Sequence, residues 1–290
     1  NVPSIIDESA NLNDASHKIM TSKTFDNATS CSSENSIVVL ESVYEELIKS
    51  LEEEGGSLLD IQEKKILQQG MWSENGIINR DIIAKKSNEI ATLVGLKGKH
   101  LSSKFLMVEE QNVGPDYPFS MEKLSPVLAV YKAKDFSHAV EIATLILKNQ
   151  GKGHSCGIHS QNEDNIERLG MELPVCRVIV NQAHCFATGG NFDNGLPFSL
   201  SMGCGTWGNN VTDENLNYKH YLNITKIVKT IEPDEPSEKD IFSDYWEKYS
   251  LKSSTVTKLV DQYAADTPDK NYLIDADLNL HVSYSQLQKD

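Results

Sequence analysis

Residues 26–41 read DNATSCSSENSIVVLE and decide the fold. The run 36–41 is β-branched and apolar, which predicts a short buried strand. It is preceded by a turn of small polar residues that contains Cys31. It is followed by residues 42–54, which place Val43, Leu47 and Leu51 at helical spacing before Gly55 and Gly56 end the helix. The stretch therefore predicts a turn, a buried strand and an amphipathic helix in succession.

Helical and strand patterns alternate along much of the remaining chain. Apolar residues recur at helical spacing in some segments and form short buried runs in others. The predicted helices cover about 9–21, 60–70, 80–94, 135–149 and 162–172, and the predicted strands cover about 105–108, 126–131, 155–159 and 176–181. We therefore expect an α/β fold with a mostly parallel sheet flanked by helices.

Three later segments depart from this alternation. Residues 183–210 contain six glycines, which is typical of a functional loop or of disorder. Residues 218–231 carry recurring aromatic and β-branched residues, among them Tyr221, Ile224 and Ile227, which predict an edge strand or a β-arm for oligomerisation. Residues 232–240 read EPDEPSEKD, an acidic and proline-rich composition that indicates a linker.

Composition excludes several function classes. The 290 residues carry a formal net charge of −15, which disfavours nucleic acid and anionic membrane surfaces as partners. No apolar run approaches the roughly 20 residues of a membrane helix, and the chain does not open with a signal peptide. The five cysteines are odd in number and widely scattered, which favours reduced thiols in a cytoplasmic protein.

Cys31 is the sharpest candidate for chemistry. It lies in a polar turn rather than on an apolar face, so burial does not explain it. Backbone N–H groups in such a turn can stabilise a thiolate and a developing oxyanion. An ordinary loop cysteine fits the same pattern, and spacing alone leaves both interpretations open.

Residues 154–159 read HSCGIH and invite a metal-site interpretation together with Cys176, His184 and Cys185. A structural zinc site needs four ligands in compact pairs, and that spacing is missing. Side chains alternate along a strand, so His154 and His159 are expected on opposite faces. We predict no metal, with histidines in polar contacts and cysteines in the core. Residues 203–208, GCGTWG, lack the lysine and the strand-helix context of a phosphate-binding loop.

Several motifs in order resemble the C-terminal, catalytic half of the aldehyde dehydrogenase superfamily, specifically its CoA-acylating branch. The resemblance covers residues 1 to about 232. It rests on NVP at 1–3, SKTFDN at 22–27 with Cys31 and Ser33-Glu34, EKLSPV at 122–127, Gly153-His154 with Ile158-His159-Ser160, GCGTWG at 203–208 with Asn210, Glu214-Asn215 and Lys219-His220. The resemblance implies an aldehyde dehydrogenase-like catalytic domain with an oligomerisation arm.

The resemblance also implies roles for single residues. Cys31 is the expected nucleophile, which forms a thioacyl-enzyme from an aldehyde while NAD or NADP takes the hydride. CoA then takes the acyl group. Glu122 is expected to contact a cofactor ribose, and His154 is expected either to assist CoA as an acid or base or to make a structural hydrogen bond.

Within the branch, residues 181–184 (NQAH) and 187–196 (ATGGNFDNGL) are most similar to acylating sulfoacetaldehyde dehydrogenases. Acylating succinate-semialdehyde dehydrogenases compete closely. Two interpretations from other classes stay open: a Cys/His hydrolase or transferase that uses Cys31 without nicotinamide, and a non-catalytic oligomerisation module. In the leading interpretation the partners are a small aldehyde, CoA and further copies of the chain, without nucleic acid or membrane.

The predicted organisation has three parts. Residues 1–232 form the catalytic domain, and its cofactor-binding half is expected upstream of residue 1. Residues 233–254 form a linker and a tail helix. Residues 255–290 resemble the start of an AMP-forming acyl-CoA synthetase, with an appended helix and β-hairpin as the alternative. The 290 residues are therefore expected to be a piece of a longer protein, nearly inactive alone.

Overall fold

The computed structural model describes residues 1–237, 256–275 and 280–287, which belong to two units, residues 1–223 and 224–290. The first unit is built on a seven-stranded sheet in the order β3-β4-β5-β2-β1-β6-β7. Every neighbouring pair is parallel. The strands are β1 (Val2–Ile6), β2 (Glu34–Leu40), β3 (Gly56–Leu58), β4 (Phe105–Glu109), β5 (Val127–Ala133), β6 (Cys156–His159) and β7 (Val178–Val180).

Helices cover both faces of this sheet. They are α1 (Leu12–Thr24), α2 (Tyr44–Glu53), α3 (Ile61–Met71), α4 (Ser87–Val94), α5 (Phe136–Asn149), α6 (Glu163–Glu172) and the short α7 (His184–Ala187). Residues of α1 and α2 pack with one face of the sheet in a buried cluster around Ile37 and Val39. Residues of α3 to α6 pack with the opposite face around Val38 and Ile158. The predicted α/β class, with a mostly parallel sheet flanked by helices, is confirmed.

Local sequence signals explain where several elements begin. The Asp135 side chain accepts a hydrogen bond from the backbone N–H of His138, which caps α5 as predicted. Asp60 and Glu63 form a capping box that starts α3. The α1 helix lies three residues later than predicted, and α4 begins at Ser87 rather than near 80.

Two strands escaped prediction for identifiable reasons. The central strand β1 contains Pro3, and a proline argues against a central strand because it cannot donate to the ladder. A register irregularity between Val2 and Pro3 accommodates it. The edge strand β3 has three residues and starts at Gly56, which the sequence presents as the end of a helix.

The predicted strand at 218–231 is wrong. Tyr218–Tyr221 form a 3-10 turn, and residues 222–231 form no regular element. A strand needs a neighbour to pair its backbone groups, and no strand in the described part of the chain pairs with this segment. The side chains of Ile227 and Val228 are 86% and 88% exposed. The oligomerisation role of this arm stays a prediction.

The second unit contains α8 (Val256–Asp266), β8 (Asn271–Asp275), β9 (Leu280–Ser283) and α9 (Tyr284–Leu287), with β8 and β9 antiparallel. Both the synthetase-like start and the appended hairpin agree with this arrangement, so the assignment of 255–290 stays a prediction. Most of the predicted linker and tail helix at 233–254 lies outside the described residues. Among the helices that are described, none has the length and apolarity to cross a bilayer.

A buried carboxylate fastens the carboxyl end of β1. Asp7 is fully buried and accepts hydrogen bonds from the backbone N–H and hydroxyl of Ser9, at 2.9 and 2.6 Å. It also accepts from the Ser160 hydroxyl and the Asn165 amide, at 2.5 and 2.9 Å. Because these donors serve one buried group, Asp7 ties β1 to the segment between β6 and α6 and to the first turn of α6.

Candidate active site

All three residues predicted from the sequence lie at one edge of the sheet. Cys31 comes shortly before β2, Glu122 before β5 and His154 before β6. The strands β5, β2, β1 and β6 are adjacent and parallel, so their amino ends share an edge. The structure brings Cys31 and His154 into contact, with 3.3 Å between Sγ and Nε2. No hydrogen bond or ion pair within the described chain joins Glu122 to either of them.

The Cys31 turn has an unusual backbone. Asp26, Asn27 and Ala28 have φ angles of 46°, 50° and 59°, three consecutive non-glycine residues in the left-handed region. Each costs about 1–2 kcal/mol, so surrounding contacts must hold them. Thr29 supplies two, because its hydroxyl donates to the backbone carbonyl and carboxylate of Asp26 at 2.9 and 2.6 Å. The turn thus presents Cys31 to solvent at the end of a strained segment.

The amide of Cys31 is available for binding. Within the described residues, the backbone N–H of Cys31 donates to no group, whereas the neighbouring N–H of Ser32 donates to the Ser30 hydroxyl. A free N–H beside a thiol can bind the oxyanion that forms when a sulfur nucleophile attacks a carbonyl group.

His154 is held at both ring nitrogens. Its Nε2 faces the Cys31 sulfur, and its Nδ1 lies 2.6 Å from the Ser155 hydroxyl oxygen. Burial, with smaller contributions from the neighbouring His184 and Arg177, lowers the pKa of His154 to about 3. The ring is therefore neutral at physiological pH.

His184 supports the Cys31 turn through a buried hydrogen bond. It opens α7, and its Nδ1–H donates to the Ser32 carbonyl at 2.8 Å. Burial lowers the pKa of His184 to about 4, so it acts as a neutral hydrogen-bond donor. The predicted polar contact for this histidine is confirmed. The residues that the structure describes contain no cluster of three His, Cys, Asp or Glu side chains suited to a metal.

Arg177 fixes the glycine-rich segment against His154. Its guanidinium donates to the backbone carbonyls of His154, Gly203 and Asp213, at 3.3, 3.0 and 3.1 Å, and to the Asn215 side chain at 3.0 Å. Residues 203–215 are therefore tied to the strand that begins at Val178. Part of the glycine-rich loop therefore has a structural role.

Three ionisable side chains, those of Lys23, Glu34 and Lys123, are buried. Burial raises the pKa of Glu34 to about 7 and lowers the pKa of Lys23 to about 7. Neither Glu34 oxygen has a partner at hydrogen-bonding geometry in the described chain, and longer contacts from Ser22 and backbone N–H groups offset burial only in part. The third group, Lys123, donates to the carbonyls of Phe119 and Met121.

Sequence reasoning missed the roles of Ser155 and Arg177. It also missed the burial of the three ionisable side chains of Lys23, Glu34 and Lys123. One available signal was the charged Arg177 at the head of the apolar run 178–180, where a buried cation needs several acceptors. Ser155 carries no such signal, because a serine beside a histidine is common. Its role follows only from the position of the His154 ring.

The fold and the thiol site agree with a family comparison. The model of the aldehyde dehydrogenase family matches residues 1–198, which include Cys31 and His154, and the chain belongs to this family.

Comparison with individual proteins shows which members of the family the chain resembles. The chain is 54% identical to the acylating sulfoacetaldehyde dehydrogenase of Cupriavidus necator over 247 residues, which is 85% of this chain and 50% of that protein. It is 35% identical to the acetylating succinate-semialdehyde dehydrogenase of Clostridium kluyveri over 223 residues, covering 77% and 49%. An acetylating aldehyde dehydrogenase from Geobacillus thermoglucosidasius superposes with a TM-score of 0.75 at 37% identity, covering 82% and 52%. The chain spans about half the length of each of these three proteins.

Proposed function

We propose that the whole protein is a CoA-acylating aldehyde dehydrogenase, which oxidises an aldehyde with NAD+ or NADP+ and transfers the acyl group to CoA. The contact between Cys31 and His154 carries the proposal, because it places an exposed nucleophile beside a polar side chain within a chain of this family. The 54% identity to an acylating sulfoacetaldehyde dehydrogenase supports the acyl acceptor.

Each covalent step takes place at Cys31. Its thiolate adds to the aldehyde carbon, and the carbonyl oxygen becomes an oxyanion that the free N–H of Cys31 binds. A bound nicotinamide would supply the acceptor for the hydride on this carbon. The acyl group then remains on Cys31 as a thioester. CoA thiolate attacks the thioester carbonyl, the carbon–sulfur bond to Cys31 breaks, and Cys31 leaves as a thiolate.

Glu122 fits the cofactor role that the family resemblance implies. Its side chain is 40% exposed at the same edge of the sheet as Cys31, so a carboxylate oxygen can accept hydrogen bonds from ribose hydroxyls. Its backbone N–H donates to Gln150 at 2.9 Å, which fixes the loop ahead of β5. We assign Glu122 to the cofactor and His154 to assistance of the thiol chemistry at Cys31.

The proposed aldehyde is sulfoacetaldehyde. The support is the difference between 54% identity to the acylating sulfoacetaldehyde dehydrogenase and 35% identity to the acetylating succinate-semialdehyde dehydrogenase. Succinate semialdehyde is therefore the competing substrate within the same reaction.

The test follows reduced nicotinamide by absorbance in the full-length protein, with sulfoacetaldehyde or succinate semialdehyde, and with or without CoA. We expect turnover with sulfoacetaldehyde that requires CoA. Cys31→Ala should remove it, whereas Cys176→Ala is the matched control for removal of a thiol. Equal turnover without CoA would refute the acylating function, and faster turnover of succinate semialdehyde would refute the substrate.

A Cys/His hydrolase or transferase is the second candidate, since the same 3.3 Å contact suits a thiol nucleophile that needs no nicotinamide. It predicts thioester cleavage by the folded chain in the absence of any dinucleotide. Family membership favours the dehydrogenase.

We further propose a homo-oligomer that works in the cytoplasm without nucleic acid or a membrane. The exposed β-branched segment 222–231 supports the oligomer, because its unpaired backbone can add to a sheet of a second copy. The five free cysteines support a reducing compartment. Light scattering of the chain with and without residues 222–231 tests the oligomer, and an unchanged mass would refute the arm.

A further inference from the structure

Two hydrogen bonds in series run from Cys31 through His154 to Ser155. The His154 Nε2 lies 3.3 Å from the Cys31 sulfur, and its Nδ1 lies 2.6 Å from the Ser155 hydroxyl oxygen. Ser155 is fully buried just ahead of β6. Each ring nitrogen therefore has one defined neighbour, and the position of the ring proton decides what each contact does.

The surroundings of Ser155 settle that position. Within the described residues, the Ser155 hydroxyl has no hydrogen-bond partner other than His154. A buried hydroxyl left without an acceptor for its proton is unfavourable. If Nδ1 carried the ring proton, the hydroxyl proton would point at no acceptor. If Nδ1 is bare, the hydroxyl donates to it and both groups are satisfied.

A neutral imidazole carries one proton, so a bare Nδ1 places that proton on Nε2. The pKa of His154 is lowered to about 3 by burial and by the nearby His184 and Arg177, which keeps the ring neutral. Every charged or titratable neighbour that shifts this ring thus acts in the same direction.

We propose that Ser155 is a positioning residue that holds His154 as its Nε2–H tautomer, so that His154 donates a hydrogen bond to the Cys31 sulfur instead of accepting the thiol proton. The role in catalysis rests on the proposed function, whereas the tautomer itself does not.

The consequence for the reaction is specific. The Cys31 sulfur is anionic when it attacks the aldehyde and again when it leaves the acyl group. A charge-assisted hydrogen bond from Nε2–H stabilises both states and needs no proton transfer. This assigns His154 to stabilisation of the sulfur rather than to general base catalysis.

Nitrogen-15 NMR of the folded chain, labelled at histidine, tests the tautomer directly. The ring signals of His154 are identified by their loss in His154→Gln. We expect a protonated Nε2 and an unprotonated Nδ1 near pH 7. The reverse pattern, or a doubly protonated ring, would overturn the proposal.

The rate at which iodoacetamide alkylates Cys31 tests the effect, with the Cys31 peptide followed by mass spectrometry. Loss of one charge-assisted hydrogen bond predicts a rate about tenfold lower near pH 7 for Ser155→Ala. Ser155→Thr keeps the hydroxyl and should restore most of the rate. His154→Gln offers an amide N–H and should retain more of it than His154→Ala. An unchanged or higher rate in Ser155→Ala would contradict the proposal.

Circular dichroism first checks that each variant is folded. If Ser155→Ala is not folded, the NMR measurement on the unaltered chain still decides. Neither measurement needs an aldehyde, CoA or nicotinamide. A negative activity assay therefore refutes the proposed function but leaves the tautomer proposal standing. A reversed tautomer refutes the tautomer proposal but leaves the proposed function standing.

Discussion

Gly153 is the residue at which the structure predicts the sharpest response to one added methyl group. Its φ is +83°, a conformation that side-chain-bearing residues rarely adopt. A Cβ at this position would lie 1.9 Å from the carbonyl oxygen of Cys204, so that carbonyl would have to retreat by about 1 Å. Gly153 also immediately precedes His154, whose carbonyl is bound by Arg177. We therefore expect Gly153→Ala to have two effects at once, backbone strain at residue 153 and displacement of residues 203–208.

Two contributions set the magnitude. Left-handed backbone at a non-glycine residue costs about 1–2 kcal/mol. Displacement of a packed backbone segment adds about 1–3 kcal/mol. We expect the free energy of unfolding to fall by about 2–5 kcal/mol in Gly153→Ala. Since the His154 ring follows directly, alkylation of Cys31 by iodoacetamide should also slow.

Urea titrations monitored by circular dichroism measure the loss in the free energy of unfolding. Substitutions at two other glycines serve as controls that separate the backbone strain from the displacement of the packed segment. Gly76 has a φ of +72° and nothing within 4 Å of an added Cβ, so Gly76→Ala reports backbone strain alone. Gly170 lies in α6 with open space around it, so Gly170→Ala should be neutral or stabilising. If Gly153→Ala loses no more stability than Gly76→Ala, the approach of Cys204 does not constrain the site and the reasoning fails.

Three further predictions use the same titration. Asp7→Ala removes a buried acceptor of four hydrogen bonds, one of them from the buried Ser160 hydroxyl, and should cost about 3 kcal/mol or more, whereas a loss below 1 kcal/mol would show that the donors find other partners. Arg177→Lys cannot reproduce the four contacts of the guanidinium and should lower stability and slow Cys31 alkylation, and unaltered alkylation would exclude its hold on the glycine-rich segment. Burial raises the pKa of Glu34 to about 7, above its unfolded value of about 4.3, so its contribution is present below pH 4 and lost as the pH rises towards 7. Glu34→Gln should therefore be more stable relative to the unaltered chain at pH 8 than at pH 5, and an equal difference at both pH values would contradict the burial of an ionisable group.

The sequence predicts the fold best where one physical signal dominates. The strand β2 and the helix α5 follow from a β-branched run and from the Asp135 cap, and both are close to their predicted bounds. The strand β1 could not be predicted, because Pro3 argues against the central position that it occupies. Its place depends on pairing with β2 and β6, which only tertiary structure reveals. The segment 218–231 shows the converse error, since β propensity without a neighbour does not make a strand.

The candidate site divides in the same way. Cys31 could be identified because a thiol in a small polar turn has no packing explanation, and the family motifs reinforced it. The contact with His154 could not be derived, since the two residues are 123 positions apart. The sequence predicts a polar contact for His184 but not its partner, and Ser155 carries no local signal, because the role of each depends on the atoms it faces. The sequence therefore shows which residue types are suited to chemistry, whereas the fold decides which side chain or backbone group each of them contacts.

The position of the site explains why so much support comes from distant segments. Open parallel sheets commonly bind ligands beyond the carboxyl ends of their strands, and a cavity of about 800 Å³ near Asp60 and Glu110 does lie at the ends of β3 and β4. Cys31 lies at the opposite edge, before β2. The chain leaves β7 at the carboxyl edge and must return, so that His184 reaches the carbonyl of Ser32, 152 positions away. Because His184 lies on this returning segment and donates to the carbonyl of the residue that follows Cys31, displacement of the segment should lower the reactivity of Cys31 without any change in the sequence around it.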